Sequence, residues 1–424
     1  MVDSAHDDAD VIVVGAGPAG SAAAFHCASA GLDVLLLEKA EFPRDKVCGD
    51  GLTPRAVAEL VRMGLPIREQ DGWIRNVGLR VLGGGHRLEL AWPELSSYPS
   101  YGLAKSRMSL DHTLADHARS AGAKLQERTN VTGTVRDERS GRVVGVTAKT
   151  EDGAATYRAP VVIAADGVSA RLATGLGLEK RMDRPMGVAV RTYFRTPRHD
   201  DAWMESHLEL WDGVPHKSNL MPGYGWIFAL GDGTANVGLG SVSSTAAATK
   251  VDYKALFAKW MANAPAEWEF TPDNQVGPVR GAALPMGFNR GPLYGNGLML
   301  VGDSAGMISP FNGEGIAYGL QAGRVAADAI AQGLARGTAA GRERAFATYQ
   351  RRMKDDLGGY YTLGRIFVRL IEHPEIMRVC TRYGLPRPLV MKFVLKLLSD
   401  CYEPRGGDLV DRVIAGLSRL APAA

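Results

Sequence analysis

The first clear pattern along the chain is an unbroken apolar run, Val11-Ile12-Val13-Val14, the composition of a strand buried on both faces. Six small residues, Gly15-Ala16-Gly17-Pro18-Ala19-Gly20, lead into Ser21 to Ala30, whose spacing predicts a helix stopped at Gly31. Leu32 to Leu37 is a second buried run and ends at Glu38, completing a predicted βαβ unit. Pro43, Gly49, Gly51 and Pro54 mark residues 40–54 as a loop, and 55–63 read as a helix. Alternation over 78–90 predicts strands, and Leu110, Leu114 and Ala118 predict a helix over 109–121. Residues 124–150 predict a short strand and a hairpin at Ser140-Gly141, and Val161 to Ala165 another buried strand closed by Asp166-Gly167. The stretch 186–240 is strand-rich, with bulk from Tyr193, Phe194, Trp203, Trp211, Trp226 and Phe228, and predicts an antiparallel second domain. Leu298 to Val301 returns to the first pattern, Gly302-Asp303 forms its tip, a helix follows Gly315, and the chain from 351 onward reads as helical.

This order predicts an α/β fold in which 1–180 and 281–350 form a discontinuous dinucleotide-binding domain. Residues 181–280 form an antiparallel substrate-binding domain, joined by part of 70–105, and 351–424 form a C-terminal helical segment. With 46% hydrophobic and 22% charged residues the chain can bury a large core, which excludes a disordered protein. A net charge of +3 argues against a nucleic-acid partner. Cys27, Cys48, Cys380 and Cys401 form no CxxC pair and no metal pattern, which suits a reducing cytoplasm and predicts no metal site. Met1 to Asp10 is too polar for a signal peptide, and no uncharged apolar run reaches the ~18 residues of a membrane span. Glycine, at 51 of 424 residues, exceeds the usual ~7%, so backbone geometry is the place to look for chemistry.

A GxGxxG turn is weak evidence alone, but here it follows a strand, opens a helix and precedes an acidic strand end. Gly15 permits the tight turn, Gly17 lets backbone approach a pyrophosphate, and Gly20 lets helix and strand pack, with Ala19 between them. Glu38, followed by Lys39, is placed to accept from a ribose hydroxyl. Later strand tips favour flavin over nicotinamide. Asp303 suits a ribityl hydroxyl, and Gly313 and Gly315 leave room for a flat ring ahead of a helix beginning at Ile316. This trio resembles the para-hydroxybenzoate hydroxylase-like class of FAD proteins over most of 11–330. The resemblance implies FAD as cofactor and puts Arg107, just before the 109–121 helix, on the nucleotide.

A sharper likeness lies in Pro43-Arg44-Asp45-Lys46-Val47-Cys48-Gly49-Asp50-Gly51-Leu52-Thr53-Pro54, which resembles the cysteine-glycine loop of the geranylgeranyl reductase family. Tyr224-Gly225-Trp226-Ile227-Phe228, continuing to Gly238-Leu239-Gly240, is similar to that family's aromatic segment, with Ala229 where the archaeal lipid-saturating members have proline. Asn312-Gly313-Glu314-Gly315-Ile316 also looks like the family's. Within the family the likeness is greatest to the actinobacterial menaquinone reductases and runs over nearly the whole chain.

The resemblance implies an FAD-dependent reductase that saturates a double bond in the isoprenoid tail of a lipid, with menaquinone foremost. It also puts Arg44, Cys48, Gly49, Asp50 and Gly51 beside the isoalloxazine ring. Tyr224, Trp226 and Phe228 fall on one strand face and suit an apolar substrate wall, although a plain core stripe has the same period. Reduction would couple hydride transfer from flavin N5 with protonation. Cys48, Tyr224 and an ordered water are the candidate donors, and Cys48 could equally be there only to pack. The electron donor is NAD(P)H or a redox protein.

Residues 351–424 carry 13 Lys+Arg and 8 Asp+Glu. Leu363, Ile366, Phe367, Leu370 and Ile371 take helical spacing, and Leu389 to Leu398 is apolar with Lys392 and Lys396 one turn apart. Such helices suit either peripheral contact with the cytoplasmic face of a membrane or a cap over the substrate pocket. Two other readings stay open: a flavin monooxygenase of polyketides or terpenoids, and a non-catalytic flavin- or prenyl-lipid-binding protein. Halogenases carry a Trp-x-Trp-x-Ile-Pro segment that this chain lacks.

Overall fold

A computed structural model describes residues 8–243 and 251–423; the start of the polar stretch Met1 to Asp10 lies outside the described residues. Two sheets organise the chain. The first has the order Tyr294–Gly295, Leu298–Leu300, Val161–Ala164, Val11–Val14, Val34–Leu37, Lys124–Gln126. All neighbours are parallel except the Tyr294–Gly295 edge strand. Its central strands are buried along their whole length, as their unbroken apolar runs require.

The helix Pro18–Ser29 owes its position to small side chains. A Cβ added at Gly323 would lie 2.6 Å from the Ala19 carbonyl oxygen, and one at Gly319 would lie 3.2 Å from the Ala19 Cβ. The helix Ile316–Leu334 therefore packs backbone to backbone against Pro18–Ser29, and both helices start at the same end of the sheet. That pairing brings two glycine turns, 300 residues apart in sequence, to one site.

The second sheet is seven-stranded, in the order Gln275–Pro285, Met186–Arg195, Thr234–Ser243, Tyr224–Ala229, Trp203–His207, Gly78–Gly83, His86–Ala91. It is mixed rather than wholly antiparallel. Trp203–His207 runs parallel to Gly78–Gly83, because the latter arrives from the N-terminal part of the chain and not through a hairpin. Period-two alternation separates its faces. Val190, Ile227, Val237 and Leu239 pack under the helix Tyr253–Met261, whereas Ala189, Met204, Trp226 and Phe228 face the other way. Ala229, where a proline was the alternative, ends its strand in regular pairing with Ala235.

The helix Ala339–Ile371 begins twelve residues before 351 and packs Phe346, Tyr349, Met353 and Tyr361 into the main core. Pro374–Val379, Pro388–Leu398 and Leu409–Leu420 then fold back over the molecule. The two lysines expected on a basic lipid-facing surface are used differently. Lys396 is 3% exposed and pairs with Asp411 at 2.7 Å and Asp408 at 3.1 Å; Lys392 pairs with Asp408 at 2.7 Å. They fasten Pro388–Leu398 to Leu409–Leu420, a tertiary partnership that periodicity alone does not encode.

Candidate active site

At the first turn, Gly15 has φ +100°, and a Cβ there would sit 2.4 Å from the Ala165 carbonyl oxygen. Gly20 does not reach the cavity. Its missing side chain makes room for the Gly15 carbonyl oxygen, 1.8 Å from where a Cβ would stand, so it acts through packing, as the turn motif requires. Gly17 is the open position, with the guanidinium nitrogens of Arg44 and Arg107 each 3.9 Å from its notional Cβ. The helix that follows has no side-chain cap, leaving free N–H groups and the positive end of its dipole toward an anion. Glu38 is 3% exposed. One of its oxygens accepts from Ala16 N at 2.9 Å and Arg44 at 3.2 Å, the other from Ala40 N at 3.1 Å. Lys39 and Ala19 line the same cavity.

Asp111 completes this end and was not singled out in the sequence. Fully buried, it accepts from Arg107 Nε at 2.6 Å and Nη2 at 2.8 Å, and from Arg44 at 2.8 Å. Its place four residues after Arg107 on one helix was the available signal. These residues fit a dinucleotide: an uncapped helix start for the pyrophosphate, a held carboxylate for a ribose, and two fixed guanidinium groups alongside.

The second turn faces the first. Asp303, Gly313, Gly315 and Ile316 line the cavity, and the Ile316–Leu334 helix also begins without a side-chain cap. Asp166 ties the two strand tips together, accepting from Ser304 Oγ at 2.8 Å and Leu172 N at 3.1 Å.

Cys48, Gly49 and Gly51 line the next part of the cavity, and Asp50 does not. Asp50 has φ +65° and turns its carboxylate into the protein. There it accepts from Arg107 N at 3.1 Å, the Tyr193 hydroxyl at 2.9 Å and the Asn236 amide at 2.8 Å. Burial raises its pKa to about 6. The Cys48 sulfur accepts from Asp50 N at 3.4 Å; burial pushes the thiol's pKa up, with Arg107 pulling the other way.

Tyr224, Trp226 and Phe228 stand on one face and line the cavity together. The cysteine loop lies flat on them: a Cβ at Gly49 would be 3.3 Å from both Phe228 Cε2 and Trp226 Nε1. Asn236, also missed in the sequence, joins the two. It accepts from Trp226 Nε1 at 2.8 Å while its amide donates to the Cys48 carbonyl and to Asp50, both at 2.8 Å. The Tyr224 hydroxyl donates to the Asn312 carbonyl at 2.6 Å, linking the wall to the second turn. Glu314, part of that turn, also faces the cavity.

The two turns, the cysteine loop and the aromatic wall border one cavity of about 500 Å³, which continues beneath Phe367, Met391, Leu395 and Leu398 of the C-terminal helices. It therefore has a charged, hydrogen-bonding end and an apolar end, with the cysteine loop at the junction.

Residues 8–355 match a family model described as FAD binding domain. The chain is 39% identical to a menaquinone reductase of Mycobacterium tuberculosis, over 98% of each chain. It is 34% identical to digeranylgeranylglycerophospholipid reductase 1 of Methanopyrus kandleri, over 75% of this chain and 79% of that one. Among solved structures, a geranylgeranyl bacteriochlorophyll reductase-like protein from Thermoplasma acidophilum superposes with a TM-score of 0.76 at 23% identity, covering 96% of this chain and 99% of the other. A flavin-dependent brominase superposes with a TM-score of 0.72 at 21% identity, over 96% and 97%, so the fold alone does not select the reaction. The FAD-shaped turns, the cysteine-glycine loop on its aromatic wall and these relatives agree: the chain belongs to the geranylgeranyl reductase family of FAD-dependent oxidoreductases, enzymes acting on carbon-carbon double bonds.

Proposed function

We propose that this enzyme saturates one double bond in the isoprenoid tail of menaquinone. The observation that carries the reading is the single cavity in which the FAD-binding turns open onto an apolar chamber walled by Trp226 and Phe228 and roofed by Leu395 and Leu398. The preference for menaquinone over an archaeal lipid rests on the higher identity of the menaquinone reductases, 39% and 35%, against 30% for an archaeal lipid reductase matched over 92% of this chain. Reduced FAD, when bound, supplies the hydride. The aromatic wall orients the tail, and the roof excludes water. An isolated alkene has no carbonyl to polarise, so a proton must be delivered to one carbon as the other is reduced. The electrons arrive from NAD(P)H or a redox protein.

The test is anaerobic incubation of the reduced holoenzyme with menaquinone, followed by mass spectrometry of the tail. A gain of two hydrogens beyond quinol formation is expected. An unaltered tail, or an oxygen atom inserted under air, would refute the reading.

The same proposal gives the C-terminal helices a second face. Phe367, Ile371 and Leu395 line the cavity, while Ile366, Leu370 and Leu389, the last 72% exposed, are open to solvent, as are Arg369, Arg378 and Arg387 of the same segment. No helix among the described residues is long and apolar enough to cross a membrane. An apolar outer face with a basic fringe suits contact with an anionic leaflet, the place from which a lipid tail would be drawn. Co-sedimentation with anionic liposomes should fall at least fivefold in Leu370→Asp/Leu389→Asp; equal binding would remove membrane contact from the proposal.

A further inference from the structure

The reduction proposed above needs a proton, and among the ionisable side chains lining the cavity Tyr224 lies within the electrostatic reach of two others, Cys48 and Glu314. Two are weak acids there. Burial pushes both the Cys48 thiol and the Tyr224 phenol above their ordinary ranges, and the phenol's hydrogen is already given to Asn312. Glu314 is different. It sits just before the uncapped start of Ile316–Leu334, and its carboxylate is met by neutral donors, the Thr53 hydroxyl at 2.8 and 3.1 Å from its two oxygens and the Asn312 side chain. A carboxylate taken from water and given neutral donors rather than a cation is poorly compensated, so its neutral form is favoured. Burial lifts its pKa to about 7, with the Thr53 hydrogen bond and the field of Arg55 pulling back. An acid so matched to neutral pH is efficient at proton transfer.

A polar route also leads away from this part of the cavity. Arg55, two residues beyond Thr53, meets Asp400 at 2.9 Å, the Tyr98 hydroxyl at 2.9 Å and Gln321 Oε1 at 2.8 Å. Gln321 in turn donates to Asp356 at 3.0 Å, and Asp356 is exposed. This network ends at solvent without crossing the apolar chamber, and its Arg55 acts on Glu314 through its field rather than through a hydrogen bond.

We propose that Glu314 is the acid that protonates the alkene, with Thr53 as its positioning residue. This rests on the reductase reading. The Glu314 O–H bond breaks as a C–H bond forms at one alkene carbon, and the other carbon takes a hydride from the reduced flavin. The π electron pair enters the new C–H bond, the flavin is left oxidised by two electrons, and Glu314 is left as a carboxylate that regains its proton from solvent. The other groups facing Glu314 leave it the pH response: Arg55 stays charged, and burial keeps Cys48, Cys401, Tyr224, Tyr318 and Tyr361 neutral. Asp400, raised to about 6, is the remaining titrating neighbour.

The experiment pairs two measurements on FAD-loaded protein. In anaerobic single turnovers with menaquinone, the wild-type rate should fall with rising pH above about 7, by about tenfold per unit, since the protonated acid is the active form. Glu314→Gln should keep FAD and accept electrons, but lose at least ~100-fold in tail saturation and have a flat profile. Thr53→Val should move the inflection upward, and Asp400→Asn should leave an inflection in place. Infrared difference spectra, independent of turnover, should show a carboxylic-acid carbonyl band titrating near pH 7 that is absent in Glu314→Gln and retained in Cys48→Ala. A Glu314→Gln rate within threefold of wild type, or a band that titrates below about pH 5, would overturn the assignment. A wild type that shows the band but leaves the tail unsaturated would instead overturn the substrate reading, and with it the alkene as the proton's acceptor.

Discussion

The side-chain amide of Asn236 donates to the carbonyl oxygen of Cys48 across 2.8 Å, although 188 positions separate them in the chain. The same side chain holds Trp226 and Asp50, so one residue fixes the distance between the cysteine loop and the aromatic wall. Asn236→Ala would leave three buried polar groups without that partner, a loss of roughly 3 kcal/mol. Urea denaturation should register this. Cys48 should also alkylate at least tenfold faster in the folded variant, with exposed Cys380 as an unchanged internal reference.

Asp111 holds Arg44 and Arg107 at the mouth of the first turn. Asp111→Ala should fold less stably and bind FAD at least tenfold more weakly, because both guanidinium groups lose their fixed positions. Fluorescence titration of apoprotein with FAD checks this, and affinity equal to wild type would refute it.

Two glycines predict opposite outcomes for one chemical change. Gly20→Ala puts a methyl group where the Gly15 carbonyl oxygen stands, so the protein should be isolated without flavin absorbance. Gly31→Ala meets no atom within 4 Å and suffers only from its φ of +83°, a cost of about 1–2 kcal/mol with FAD retained.

Asp50 gives stability a defined pH dependence. Its folded-state pKa is raised from 3.8 to about 6, so between these values the folded protein holds more proton than the unfolded chain. Stability from this group therefore falls as pH rises through that window and is constant above it. Relative to Asp50→Asn, the wild type should lose up to about 3 kcal/mol between about pH 4 and 6, measured by denaturant titration at each pH.

Lys396 and Lys392 test the roof. Lys396→Met strands the buried Asp411 carboxylate, a loss of about 3–5 kcal/mol concentrated in 388–420, whereas Lys392→Met removes a half-exposed pair worth under about 1 kcal/mol. Hydrogen exchange should show faster opening of both C-terminal helices in the first variant only.

What could be read from the sequence was local. Gly15, Gly17, Gly20 and Glu38 announce themselves because a turn, a helix start and a strand end lie within 24 residues. Tyr224, Trp226 and Phe228 do so through a period of two. What stayed hidden depends on partners brought from afar. Asn236 reads as an ordinary strand residue until pairing sets it opposite Phe228 and the cysteine loop descends on it. Asp111 looks like one more helix-surface acid until Arg44 arrives from the loop. Lys396 suggested a basic face because its acids lie on the next helix, and the parallel pairing of Trp203–His207 with Gly78–Gly83 has no signature in either segment.

The quartet of Glu38, Arg44, Arg107 and Asp111 sums to no formal charge. An incoming diphosphate thus meets a balanced site, in which N–H dipoles and shape provide the attraction rather than surplus cations. Mobile ions weaken attraction between exposed net charges and act far less on groups enclosed in this way. Retention of the cofactor should accordingly be almost insensitive to ionic strength, and concentrated salt should pass over the holoprotein without stripping it.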